Sequence, residues 1–506
     1  MIQWFKALSL WAQSILAVSI GMLGALSQAP LGLAPLIMVM MALVFLILST
    51  TRGVRNAAHF GFLIGFGYFL ITLHWITSPF QVDAEQHAWM APFALFFMAS
   101  GMALFWSLAF GAARFLGPVW ALVVTWPLVE LLRAYVFTGF PWGTPPQALV
   151  NVVSGQGLAW VGPHGVMLGM CLLAFLIFKS IAYPKIGQLS VGVAVLVFTL
   201  LPPLSKDAEL TEHTVRLVQP NAAQKDKYDP EKAPIFVNRL LSFTRAGDVP
   251  DLVLWPETAV PYLAHNAPGL WETAGEAGRG APVALGILRA EENALFNSMI
   301  VLNEAGQITH TYDKHHLVPF GEYIPLRPIL SAFGLRAMAD MFGDGISRGQ
   351  GAQVVDFGPL GKALPLICYE AVFAHDVGST PERPNFLIQL TNDAWFGNFA
   401  GPMQHLAQAQ MRAIEQGLPM ARAANTGISA MIDPYGRILQ SLGLNEAGFV
   451  DAKLPKSLSP TLYSRIGDPP IAFLLLLVAL LTLVLKMTRW RSNLRLTAPL
   501  RFAIEQ

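Results

Sequence analysis

Apolar stretches of spanning length recur from the N-terminus to about residue 203, and they constrain the fold of this chain more than any other feature. A helix of about 20 apolar residues crosses the hydrocarbon core of a bilayer with its backbone polar groups satisfied internally. Segments at approximately 8–27, 31–49, 57–77, 89–113, 117–137, 164–182 and 187–203 meet that length, and an eighth, Ile471 to Leu485, follows a long polar interval. The eighth is short, but Lys486 can extend toward the interface and lengthen it. Composition agrees, with 54% hydrophobic and only 13% charged residues, against about a quarter charged in soluble proteins. Lys6, the run Ala7 to Leu26 and the sequence Ala25-Leu26-Ser27-Gln28-Ala29 imitate a secretory signal. The run exceeds the ~7–15 residues of a signal core, and more apolar segments follow, so it reads as a retained first span. A net charge of +1, with no basic block before the extreme C-terminus, leaves no electrostatic footprint for nucleic acid.

Lysine and arginine positions set the orientation. Arg52 and Arg55 lie between spans two and three, Arg114 between four and five, Lys179 and Lys185 between six and seven, and Lys486, Arg489, Arg491, Arg495 and Arg501 after the eighth. All fall on one side, which is therefore cytoplasmic, while Asp83 and Glu85 lie on the other. The polar interval follows an odd number of spans and faces outward, into the periplasm of a two-membrane bacterium. The expected layout is a membrane domain with seven transmembrane helices at 1–204, an outward domain at 205–468, and an eighth helix with a basic cytoplasmic tail at 469–506. Within span five, Glu130 and Arg133 are three residues apart and are expected to pair on one helix face. The aromatics of Gly139-Phe140-Pro141-Trp142-Gly143 fit an interfacial belt.

The outward interval carries short strand-like runs, such as Val215 to Val218, Val283 to Gly286, Met299 to Leu302 and Phe386 to Leu390, separated by helix-like stretches such as Met403 to Gln416. That pattern predicts a mixed α/β domain of ordinary size. The chain has two cysteines, which argues against a disulfide framework or a cysteine metal cluster. Cys171 lies inside an apolar run. Cys368 ends the strand-like Ala363-Leu364-Pro365-Leu366-Ile367 and precedes Tyr369-Glu370. A thiol at such a strand end is either a buried core cysteine or a nucleophile. Two other segments bear on the choice. Leu252-Val253-Leu254-Trp255-Pro256-Glu257 delivers a carboxylate at a strand end, and Tyr312-Asp313-Lys314-His315-His316-Leu317-Val318-Pro319-Phe320-Gly321-Glu322 carries a lysine and a second carboxylate. Singly, Glu257 reads as a helix-start residue and Lys314 as a solvated charge.

Together, Glu257, Lys314 and Cys368 resemble in order and context the Glu-Lys-Cys triad of the nitrilase superfamily. Asn392-Asp393-Ala394-Trp395-Phe396 and the stretch Arg412 to Ala430, with Asn425-Thr426-Gly427, are similar to its membrane-bound apolipoprotein N-acyltransferase branch. One departure is Leu418-Pro419, where the resemblance implies an arginine before the proline. The resemblance implies a polytopic helical membrane domain of eight spans joined to a nitrilase-like αββα sandwich. Glu257 is expected to act as general base if burial raises its pKa, and Lys314 with the backbone N–H of Tyr369 as oxyanion donors. Glu322 and Glu370 have supporting roles, and His315 and His316 read as polar loop residues. No metal or cofactor is implied. The implied chemistry is ping-pong acyl transfer through a Cys368 thioester. The donor is a phosphatidylethanolamine-type membrane phospholipid, and the acceptor is the α-amino group of diacylglyceryl-cysteine at an apolipoprotein N-terminus. A monomer in the bacterial inner membrane is expected. Competing readings are a membrane-anchored amidase or nitrilase-type hydrolase of a small amide, and a non-catalytic lipid-binding scaffold. Finally, Phe333, Leu335, Met338, Met341 and Phe342, near Gly343-Asp344-Gly345, suggest either an apolar lid that touches the bilayer or a helix packed on the α/β core, with Trp395 and Phe396 as further candidate lipid contacts.

Overall fold

The computed structural model describes residues 2–182, 198–203, 207–292, 294–325 and 345–497. The chain divides into two compact units. One comprises Met1–His74, Pro92–Pro202 and Ile466–Gln506, the other Trp75–Ala91 and Pro203–Arg465.

The first unit is helical. Among the described residues, helical segments long and apolar enough to cross a membrane are Val54–Thr72, Ala84–Leu116, Val119–Thr138, Val153–Ala182 and Pro469–Thr488, with shorter apolar helices at Leu10–Ala25 and Pro35–Thr50. Each overlaps an expected span. Most of the remaining one, 187–203, lies outside the described residues. Ser9 caps the helix Leu10–Ala25 by accepting from the Ala12 N–H at 3.3 Å. The expected 164–182 span begins earlier, in a helix from Leu158 to Ala182 bent at Gly162, whose φ of 63° precedes Pro163. Many outward side chains are large and apolar, including Phe93, Phe97 and Leu104 on Ala91–Leu116 and Phe473, Leu476 and Leu480 on Pro469–Thr497. Such a surface is untenable in water and natural in lipid.

Several polar residues of this unit turn inward. Glu130 and Arg133 pair at 2.5 Å, both almost fully buried. Trp106 Nε1 donates to Glu130 at 2.8 Å, and Arg133 donates to the backbone carbonyls of Phe140 and Trp142. Tyr68 donates to the Gly143 carbonyl at 2.9 Å. The aromatic loop after Thr138 is thus tied to buried side chains. Substituting one member of the pair leaves an uncompensated buried charge, which costs about 3–5 kcal/mol. Arg133→Met should lower the thermal midpoint of the detergent-solubilised protein markedly, and Glu130→Gln with Arg133→Met together should cost less than the sum of the two. Additive losses would show that the residues do not act as a pair.

Among the described residues, the second unit contains two six-stranded sheets. The first uses β1 (Leu210–Gln219), β2 (Leu252–Leu254), β3 (Val283–Glu291), β4 (Ala294–Leu302), β5 (Ile308–Asp313) and β12 (Gly448–Pro455), in the order β12-β1-β2-β3-β4-β5. The second uses β6 (Val355–Asp356), β7 (Lys362–Ile367), β8 (Phe386–Thr391), β9 (Met420–Ala424), β10 (Ser429–Ile432) and β11 (Ile438–Leu442), in the order β11-β10-β9-β8-β7-β6. The runs β1-β2-β3 and β7-β8-β9 are parallel, and the outer pairs are antiparallel.

Strand alternation sorts the side chains into three layers of core. Leu252, Leu254, Met299, Val301, Ile367, Phe386, Ile388 and Leu390 meet between the sheets. Val253, Val283, Leu285 and Ile300 face the other way, onto helices Ala233–Arg245 and Pro268–Gly278. Leu364, Leu366, Leu387 and Met420 face helix Gly401–Gln416. The result is the αββα sandwich expected from the sequence. Leu418, the departure before Pro419, is buried in the third layer and contributes packing rather than charge.

Candidate active site

Three strand ends deliver the chemistry. Glu257 follows β2, Lys314 follows β5 and Cys368 follows β7. Glu257 lies tight against β3, because Gly286 has no side chain: a Cβ there would sit 2.5 Å from the Glu257 Cα. All three residues are buried. Lys314 Nζ lies 3.2 Å from Glu257 Oε1 and 2.9 Å from Glu322 Oε1. Asn297, on β4, donates from Nδ2 to both carboxylates, at 2.7 Å to Glu257 and 3.0 Å to Glu322. Glu257 Oε2 accepts the Asn392 N–H at 2.9 Å, bridging the sheets, and Glu322 Oε2 accepts the Val318 N–H at 2.8 Å.

Cys368 sits where β7 turns, with φ at +50°. A residue with a Cβ rarely adopts this left-handed conformation, and such strain persists where the surroundings enforce it. Glu370 is one such constraint. Fully buried, it accepts from the Ile367 N–H at 2.7 Å, the His315 N–H at 2.7 Å and the Tyr312 hydroxyl at 2.9 Å. It therefore joins the turn that carries Cys368 to the loop that carries Lys314. His315 and His316 lie in the loop after β5, and each meets a carboxylate. His315 Nδ1 lies 2.7 Å from Glu370, and His316 is buried with Nδ1 2.6 Å from Asp376 and its ring stacked 3.7 Å from Phe373. Burial alone would push the His315 imidazole down, but the Glu370 carboxylate carries it above its ordinary value.

The electrostatics revise one expectation. Burial would raise the pKa of Glu257, but the Lys314 ammonium, the Asn297 amide and the Asn392 N–H outweigh it and hold the carboxyl below the ordinary range. Burial pushes the Cys368 thiol well above its usual value, and the Glu257 charge adds to that, against the Lys314 ammonium. Burial opposes the charge of Lys314, yet Glu257 and Glu322 raise its pKa above the normal lysine value. The resting site thus holds a thiol, a carboxylate and an ammonium. The Glu257 and Lys314 charges both act on the Cys368 thiol, which joins the three groups electrostatically.

Comparison with known proteins places the chain. Residues 214–461 match the carbon-nitrogen hydrolase family, and residues 20–176 match the apolipoprotein N-acyltransferase N-terminal domain. The chain is 34% identical to the apolipoprotein N-acyltransferase of Rhodopseudomonas palustris, over 94% of this chain and 96% of that protein. It belongs to the apolipoprotein N-acyltransferase family. The protein of that name from Brucella suis is 36% identical over 85% of each chain. Among solved structures, a carbon-nitrogen hydrolase superfamily protein from Xanthomonas campestris aligns with a TM-score of 0.36 at 18% identity, covering 52% of this chain and 97% of its own.

Tyr369 is buried, its ring edge-on to Phe373 at 4.9 Å. Trp395 and Phe396 are half-buried, and the Phe396 ring packs edge-on against Trp75 at 4.9 Å and His405 at 5.4 Å. Phe333, Leu335, Met338, Met341 and Phe342 lie outside the described residues. Sequence reasoning missed Asn297, Gln389 and Lys227. The first two show as polar residues inside apolar strands, Ala294–Leu302 and Phe386–Thr391. Lys227 is buried, with Nζ 2.6 Å from Thr258 Oγ1. Burial lowers its pKa to about 8, although Glu257 pulls the other way.

The thiolate fraction of Cys368 grows only as pH approaches the raised pKa. Alkylation of Cys368 by iodoacetamide, in a Cys171→Ala background, should therefore keep accelerating with pH through and beyond the ordinary thiol range. Lys314→Met removes a charge that lowers this pKa and should move the rise to still higher pH. A rate that is already flat below about pH 8 would contradict this assignment.

Proposed function

We propose that the chain transfers an acyl chain from a membrane phospholipid, through a thioester on Cys368, to the N-terminal α-amino group of diacylglyceryl-cysteine in apolipoproteins. The observation that carries this reading is a buried thiol within electrostatic reach of a buried Glu257–Lys314 pair, in a chain matching both domains of its family. In the first half-reaction Cys368 Sγ attacks the ester carbonyl carbon of the donor, and Glu257 takes the thiol proton. The carbonyl oxygen becomes an oxyanion facing Lys314 and the Tyr369 N–H. Collapse breaks the carbon–oxygen bond, and the proton passes from Glu257 to the departing lysophospholipid. In the second, the α-amine attacks the thioester, Glu257 receives its proton, an amide forms, and the thiol is restored.

The apolar helices of the first unit fit a donor held in a bilayer, with a phosphatidylethanolamine-type lipid as the donor class. The distribution of lysine and arginine supports an inner-membrane protein whose second unit faces the periplasm, with eight spans as the matching count. The resting protonation states fit transfer that depends on oxyanion stabilisation rather than on a standing thiolate.

Cys368→Ala should abolish transfer of phospholipid acyl chains to a diacylglyceryl-cysteine peptide, and Cys171→Ala should leave it largely intact. Glu257→Gln and Lys314→Met should each slow transfer by ~100–1000-fold, and the double variant should fall no further than about the worse single one. The measurement is peptide N-acylation by mass spectrometry. Equal losses at Cys171 and Cys368 would overturn the nucleophile assignment.

A further inference from the structure

We propose that Gln389, fixed by Arg422 and His405, is the positioning residue that aims the Tyr369 backbone N–H at the oxyanion. The inference rests on Cys368 being the nucleophile. Along β8, Phe386, Ile388 and Leu390 face the core between the sheets. Gln389 has the opposite parity and faces helix Gly401–Gln416, where His405 sits. A fully buried glutamine in a strand is costly unless its polar atoms are bonded.

The neighbours of Gln389 decide how its amide points. Oε1 accepts from Arg422 Nη1 at 2.5 Å. Nε2 therefore points the other way, 3.3 Å from the Cys368 carbonyl oxygen and 3.1 Å from His405 Nε2. The histidine tautomer follows from the same network. Asp393 is paired with Arg422 at 2.5 Å and accepts from Thr391 Oγ1 at 2.9 Å, so it is ionised. His405 Nδ1 lies 2.9 Å from Asp393 Oδ1 and carries the ring proton. Burial keeps the ring neutral by lowering its pKa. Nε2 is then an acceptor and takes one Gln389 N–H, while the other goes to the Cys368 carbonyl. His405 Nε2 also lies 3.1 Å from that carbonyl, but without a proton it cannot donate there. Gly427 makes room for this arrangement: a Cβ there would sit 2.3 Å from Asp393 Oδ2.

The carbonyl matters because a trans peptide is planar, with its C=O and N–H directed oppositely. Holding the oxygen of Cys368 sets the direction of the N–H of Tyr369, the next residue. The turn has a φ of +50° at Cys368, a conformation that relaxes unless its surroundings hold it. Lys314 can adjust through its rotamers, but a backbone donor cannot. Its aim depends on what grips the other end of the peptide. The thiol side of the turn is served by Glu257 and Lys314, and the carbonyl side by the network beneath the second sheet.

Two rates separate this role from a merely structural one. The full-length protein in a Cys171→Ala background is compared with the same protein carrying Gln389→Met, which keeps length and removes both donors. Acylation of Cys368 by phosphatidylethanolamine in mixed micelles is followed by intact mass. Alkylation of Cys368 by iodoacetamide is followed in parallel, because that displacement forms no tetrahedral oxyanion. The expected result is acylation slowed by roughly 100-fold, with alkylation near the parent rate. Unchanged acylation, or equal loss of both rates, overturns the proposal. If Gln389→Met does not fold, the volume-conserving Gln389→Glu, which keeps an acceptor for Arg422 and turns an oxygen toward the carbonyl, is read by the same two rates. If the parent protein acquires no acyl group on Cys368, the functional reading itself fails, and that result is separate from the effect of any change at Gln389.

Discussion

A lysine ammonium buried in a low-dielectric interior has to be compensated, and the compensation of Lys314 organises the rest of the site. Glu257 and Glu322 flank it at 3.2 and 2.9 Å. Asn297 links the two carboxylates, and the N–H groups of Asn392 and Val318 complete them. Removing one partner of such a pair typically costs about 3–5 kcal/mol, because the remaining charge is stranded. The sandwich supplies the rigidity this demands. β2 and β5 come from one sheet, β7 and β8 from the other, and apolar residues of both sheets pack into one core.

The same compensation shapes the chemistry. Because the lysine and two amide donors hold Glu257 ionised, and burial keeps Cys368 protonated, no standing thiolate faces solvent. In the proposed transfer, reactivity appears when a carbonyl is bound whose developing charge Lys314 and a backbone N–H can stabilise. Glu370 and Gln389 then have comparable tasks on opposite sides of the nucleophile turn. One binds the turn to the Lys314 loop, and the other grips its carbonyl.

Much of this was legible in the sequence, for identifiable reasons. Apolar runs of spanning length announce helices regardless of their packing, and the runs around Val253, Ile300 and Ile388 announce strands. Glu257 and Cys368 stand out because each ends such a run, and Lys314 because its segment turns apolar at once. What could not be read was pairing across the fold. Asn297 meets Glu257 only because β3 lies between β2 and β4, and Arg422 meets Asp393 only through the β8–β9 register. The condition set on Glu257, that burial raise its pKa, is not met for the same reason. Burial is foreseeable from an apolar context, but three compensating donors from distant segments are not. His315 and His316 look like polar loop residues until Glu370 and Asp376 arrive from residues more than fifty positions away.

The central claim, that the acyl group passes through Cys368, is tested most directly by single-turnover transfer. The protein is incubated with phosphatidylethanolamine alone, freed of donor, and mixed with a diacylglyceryl-cysteine peptide while intact masses are followed. The expected result is one hydroxylamine-labile acyl group on Cys368 that disappears as an equal amount of N-acylated peptide forms. An acyl group that stays on the protein, or that is lost only to water while the peptide remains unmodified, would contradict it.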